Sequence, residues 1–125
     1  MNSIITTIGK AKMAKARAGI AALPKITKMA FGIGGATLLG DVITPGLDDI
    51  TLKNEVLRKN IESFTKITDT SYRYLCTLAV GELPMAKISE LGLVDADGDI
   101  VAIRSFTPKP KESDIEMQFA MDDIF

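Results

Sequence analysis

This 125-residue sequence predicts an α+β fold, with an N-terminal helix and one short internal helix packed with a mostly antiparallel β-sheet. Three observations carry that expectation. Residues 3–19, SIITTIGKAKMAKARAG, are rich in Ala and Lys and close on Gly19 and Pro24, as a helix does. Residues 88–106, ISELGLVDADGDIVAIRSF, set two apolar runs around Asp97-Gly98, a strong hairpin signal. In SDIEMQFAM, Ile115, Met117, Phe119 and Met121 alternate with Asp114, Glu116 and Gln118, the period of a half-buried strand.

The elements follow in order. Ser3 is the expected cap of the first helix, and Lys15 and Arg17 sit in its last turns, where the helix dipole favours cations. Lys25–Phe31 alternates as a strand and the glycines of AFGIGG stop it. Pro45-Gly46 is a turn. Asp48 or Asp49 then caps a short helix, ITLKNEVLRKN, on which Leu52 and Val56 lie one turn apart. Residues 60–68 and 71–80 read as two strands around TDTS, with Tyr72, Tyr74, Cys76 and Leu78 on one face. Cys76 there is a small buried residue before it is a nucleophile. One domain over residues 1–125 is expected, divided into a basic helical arm at 1–22 and an α+β body at 23–125.

Composition removes much chemistry. There is no histidine, and one cysteine permits neither an internal disulfide nor a cysteine zinc cluster. The longest uncharged stretch, Met29–Gly40, is far short of the ~20 residues a spanning helix needs, so no membrane insertion is expected. The net charge of −1 hides a split: residues 1–40 hold six basic residues and no acid, while all sixteen acids follow. A basic segment on an acidic body points to an acidic partner or to pairing between copies. Nucleic acid is not expected, because no aromatic residue interleaves Lys10, Lys12, Lys15 and Arg17.

The motifs fail on inspection. AFGIGG has the first two glycines of a dinucleotide fingerprint, but the last position is Thr37. A phosphate loop would need lysine where Asp41 stands. DADGD offers carboxylates at calcium-loop spacing, but Ile100 and Phe106 occupy the positions that require Gly and Glu. No catalytic residue, cofactor or metal ligand is nominated, and an enzyme is not expected. Partner binding is assigned to the N-terminal helix: Ile4, Ile5 and Ile8 as an apolar anchor, and Lys12, Lys15 and Arg17 as its basic half.

Three blocks, PKITKMAFGIGG, TPGLDDITLKNEVLRK and ISELGLVDADGDIVAIRSF, resemble in order and spacing the phage tail-collar fibre protein family, the N-terminal domain of tail fibres in contractile-tailed phages and tailocins. The likeness runs from about Thr7 to the end. It implies a structural virion protein, made in the bacterial host cytoplasm, that attaches or forms the base of tail fibres at the baseplate. It implies baseplate proteins as partners, a homo-oligomer (trimer first) and no catalytic residues. Phe31, Gly32, Gly34, Gly35, Leu52, Asn54, Glu55, Arg58, Glu90, Gly92, Asp95 and Gly98 then read as fold-forming. The chain departs from a typical fibre in stopping at Phe125, which suggests an adaptor to a separate fibre chain or a reduced fibre. The alternative is a receptor- or glycan-binding module acting directly on the host surface, against which the absence of Trp and the two Tyr argue.

Overall fold

Two antiparallel sheets face each other across the core of the computed structural model, which describes residues 3–125. In chain order the elements are β1 (Ser3–Ile5), α1 (Thr7–Arg17), β2 (Ile26–Gly32), β3 (Glu55–Asn60), β4 (Ser63–Thr68), β5 (Ser71–Leu78), β6 (Lys87–Asp95), β7 (Ile100–Pro110) and β8 (Met117–Ile124). The larger sheet has the order β1-β7-β6-β2-β3 and the smaller β4-β5-β8. The first two residues of the expected basic arm lie outside the described residues.

The expected α+β class is therefore wrong: the protein is mostly β, and the one helix among the described residues has 11 residues. The internal helix is the main error. Glu55–Asn60 is instead an edge strand paired with β2. Glu, Leu, Arg and Lys favour helix locally, but pairing with β2 satisfies the backbone and overrides that preference. A register shift opposite Phe31 and Gly32 leaves Val56 as an extra residue. Such a bulge breaks the period of two, and Val56 and Leu57 both pack on the core. Asp48 and Asp49 cap no helix. Asp48 accepts from the Thr7 hydroxyl at 2.7 Å, and Asp49 from the Gly46 N–H at 2.8 Å.

Ser3 is not the cap either. Ser3–Ile5 pairs with Arg104–Ala102 of β7, and the first helical turn is capped by Thr6, whose hydroxyl oxygen accepts from the Gly9 N–H at 3.2 Å. That hydroxyl also donates to the Ile100 carbonyl at 2.9 Å, which fixes α1 over the start of β7. The helix ends at Arg17 with Ala18 as its C-cap, two residues short of the end read from the sequence, and Gly19 closes the turn beyond it. Gly19 has φ +76°, with Ile20 N–H bonded to Lys15 O and Gly19 N–H to Ala16 O, a Schellman motif.

The remaining strands stand close to their expected places. Gly98, at φ +86°, turns the β6–β7 hairpin, and Phe119 and Met121 of β8 are buried, whereas Ile115 is exposed. β6 is buried along eight of its nine residues because both faces of the large sheet are covered. On one face Met29, Phe31, Leu91 and Leu93 meet Cys76, Leu78, Phe119 and Met121 of the small sheet. Phe31 and Phe119 pack edge to face across the layers, 5.4 Å between centroids, worth roughly 1 kcal/mol beyond area burial. On the other face Ala30, Val94, Ile100 and Ile103 are covered by Leu52 from the long 33–54 connection and by Ile4.

Candidate functional site

Glu90 stands in the middle of an apolar strand and is 1% exposed. A buried carboxylate needs donors. Glu90 takes three from the backbone: Gly34 and Asn54 N–H to Oε2 and Lys53 N–H to Oε1, each at 2.9 Å. The glycines of AFGIGG exist for this approach. A Cβ on Gly32 would overlap the Glu90 carboxylate, and one on Gly35 would overlap the Ser89 carbonyl. Gly35 N–H donates to the Ser89 hydroxyl at 2.9 Å. The arrangement clamps both ends of the 33–54 connection to β6.

A second polar cluster lies at the C-terminal end of β6. Asp95, buried, accepts from Asp97 and Asp99 N–H through Oδ1 at 3.0 and 3.1 Å. The same three aspartates have the proximity of a metal site, their oxygens lying within 4.8 Å of one another. The Lys12 ammonium sits among them instead, 2.6 Å from Asp95, 2.7 Å from Asp99 and 3.1 Å from Asp97. Burial pulls Lys12 toward neutrality, but its hydrogen bonds to Asp95, Asp99 and Asp97 outweigh that and hold it above the ordinary lysine range. Arg58 reinforces this end, paired with Glu55 at 2.6 Å and donating to the Gly98 carbonyl at 3.1 Å.

Between α1 and the β4–β5 ribbon runs a groove of about 490 Å³. Register puts Phe64 opposite Tyr74 and Lys66 opposite Tyr72, so Phe64, Tyr72 and Tyr74 share one face of the ribbon and form an aromatic wall. Ring centroids of Phe64 lie 6.2 Å from Tyr72 and 6.1 Å from Tyr74. Ile5 and Met13 face them, Val101 and Asp123 contribute to the lining, and Lys25 stands on the rim. Burial raises Asp123 above the usual carboxylate range, and burial followed by Asp123 and Tyr72 raises Tyr74. Cys76 lies outside the groove, and burial pushes its thiol up to about 11, so it is a poor nucleophile.

The sequence-assigned partner residues fall into two groups. Ile4 and Ile5 are half-buried in β1, Ile8 is half-buried on α1, and Lys12 is held by the aspartates. Lys15 and Arg17 are exposed, as is Lys10, and none of the three makes an ion pair among the described residues. The groove was missed. Its aromatic residues come from a ribbon that reads as ordinary strand, and only the fold sets them against α1. Glu90 left a usable signal: a lone acid inside ISELGLV requires buried partners.

These features define a two-sheet antiparallel domain whose buried polar clusters fasten its connections and whose open surfaces are a basic helix and an apolar groove. The family model for the N-terminal region of phage tail-collar fibre proteins matches residues 1–122, and the chain belongs to that family. It is thus a structural protein of the tail fibre, located in the virion tail. No curated protein matches the chain. Among the described residues no helix is long and apolar enough to cross a membrane.

Proposed function

We infer that this domain forms or seats the base of a tail fibre at the baseplate of a phage or tailocin, works by assembly without catalysis or cofactor, and does so as a homotrimer made in the host cytoplasm. The carrying observation is the division of charge on α1. Lys12 is committed inside the chain, while Lys10, Lys15 and Arg17 project with no ion pair among the described residues. Lys10 and Arg17, seven residues apart on one side of a helix anchored by Thr6, Ile4 and Ile5, with Lys15 on another side, offer free cations to acidic groups on a baseplate protein. A separate fibre chain is the expected cargo. Particles purified from a strain lacking this chain should keep sheath and tube and lose their fibres together with host adsorption. Particles that retain both would remove the reading.

Direct binding of a host glycan or other receptor is the second reading. The aromatic wall of Phe64, Tyr72 and Tyr74 favours it, because sugars stack on such surfaces. It is the weaker, since Lys12 and Asp95, the strongest polar groups of the groove, already satisfy each other. Specific binding of the isolated protein to host cell-wall glycan would reverse the ranking.

A further inference from the structure

The 33–54 connection carries a second feature that the proposed attachment does not use. Residues 36–42 form a closed finger: Ala36 and Val42 bridge, Thr37 N–H donates to Asp41 O at 2.8 Å, Asp41 N–H to the Thr37 hydroxyl at 3.1 Å, and Gly40 N–H to Thr37 O at 2.9 Å. Gly40 turns the tip at φ +88°. At that tip Leu38 is 107% and Leu39 92% exposed, relative to an extended reference. Two adjacent, fully solvated leucines on a hydrogen-bonded turn are not a loose loop. The finger's base is pinned to β6 through Gly35 and Glu90, so the leucines are held out. An apolar projection of this kind marks a contact surface.

The finger and the groove lie at opposite ends of the same strands. Ile26, at the start of β2, lines the groove, and Gly32, at its end, leads into the finger, roughly 20 Å away along the strand. On β6, Asp95 belongs to the groove and Glu90 to the base of the finger. A chain cannot place its own finger in its own groove. Charge adds a direction: Asp41 follows the leucines on the finger, Lys25 stands on the groove rim, and neither makes an ion pair among the described residues.

We propose that the occupant of the groove is the finger of a second copy of this chain, with Leu38 and Leu39 against the Phe64–Tyr72–Tyr74 wall and Asp41 paired with Lys25. The contact is heterologous, and head-to-tail repetition closes into a ring when the rotation between copies permits. The proposal deepens the homo-oligomer part of the reading above and does not depend on where the chain sits in the tail.

Sedimentation of the full chain tests it. Wild-type protein should form a closed oligomer. Leu38→Asp/Leu39→Asp should be monomeric, and so should Phe64→Glu, with the circular dichroism of the folded chain retained because all three side chains are exposed, and with a melting temperature no longer dependent on protein concentration. Mixed together, the two should yield a dimer and nothing larger, since only one intact finger and one intact groove can meet. Asp41→Lys and Lys25→Asp should each weaken association at low salt, and the charge-swapped double variant should restore it. A monomeric wild-type chain, or an oligomer indifferent to both sets of changes, would overturn the proposal. Monomeric protein whose groove titrates with cell-wall glycan would overturn it in favour of the second reading. Loss of fibres from particles lacking the chain is read separately, so attachment through α1 can survive the failure of this contact.

Discussion

Gly34 N–H and Glu90 Oε2 lie 2.9 Å apart although 56 residues separate them. The bond explains together why glycines follow β2 and why an acid interrupts β6. Glu90→Ala removes the buried acceptor for three partly buried backbone hydrogen bonds, and each hydrogen bond to a charged group is worth about 1.5–3 kcal/mol. The loss should be at least ~3 kcal/mol in urea denaturation, and Glu90→Gln, which keeps one carbonyl oxygen, should lose clearly less. Gly35→Ala should destabilise by at least ~1–3 kcal/mol, since the obstructing atom is backbone and cannot swing away.

Lys12 and Asp95 are joined at 2.6 Å across 83 residues, and they tie α1 to the β6–β7 turn. Lys12→Met should destabilise by about 2–3 kcal/mol at neutral pH, most of it from a buried Asp95 left without its cation. The exposed Asp97 and Asp99 add little. Because the folded state holds Lys12 above the ordinary range, the unfolded chain gives up its proton first. The stabilisation is then fully present below the unfolded value of ~10.4 and declines as pH rises through the folded one. The stability gap between wild type and variant should be level from pH 6 to pH 9 and narrow above about pH 10.4. A gap that narrows near neutrality would contradict the assignment.

Asp123 supplies the opposite sign. Burial raises its carboxyl in the folded state, so ionising it costs stability. The penalty is absent below the unfolded value of ~3.9 and grows as pH rises through the folded one. Asp123→Asn should therefore be more stable than wild type at pH 7, with the advantage shrinking as the pH is lowered toward 3. Chemical denaturation at several pH values measures both limbs. An advantage that does not depend on pH would show that charge burial is not its cause.

What the sequence disclosed was its local chemistry. Gly19 ended a helix, Asp97-Gly98 turned a hairpin, and Phe119 with Met121 faced inward because turn geometry and side-chain alternation act within a few residues. The errors came where the partner strand lies far along the chain. Ser3–Ile5 is a strand only because β7 lies beside it, and Glu55–Asn60 only because β2 does. The bulge at Val56 also erased the alternation that would have exposed the mistake. Lys12 was assigned to partner binding from charge alone. Its three aspartates sit on a hairpin more than eighty residues away, and the fold decides which lysines of α1 remain free.

The reading as a fibre base rests on those free lysines. The most direct measurement is a cryo-EM map of assembled particles, with and without charge reversal at Lys10, Lys15 and Arg17. The account predicts the domain at the baseplate periphery with α1 against an acidic surface, and loss of fibres from the charge-reversed particles that deepens with added salt. Fibres in place on the charge-reversed particles, or α1 facing solvent in the map, would contradict it.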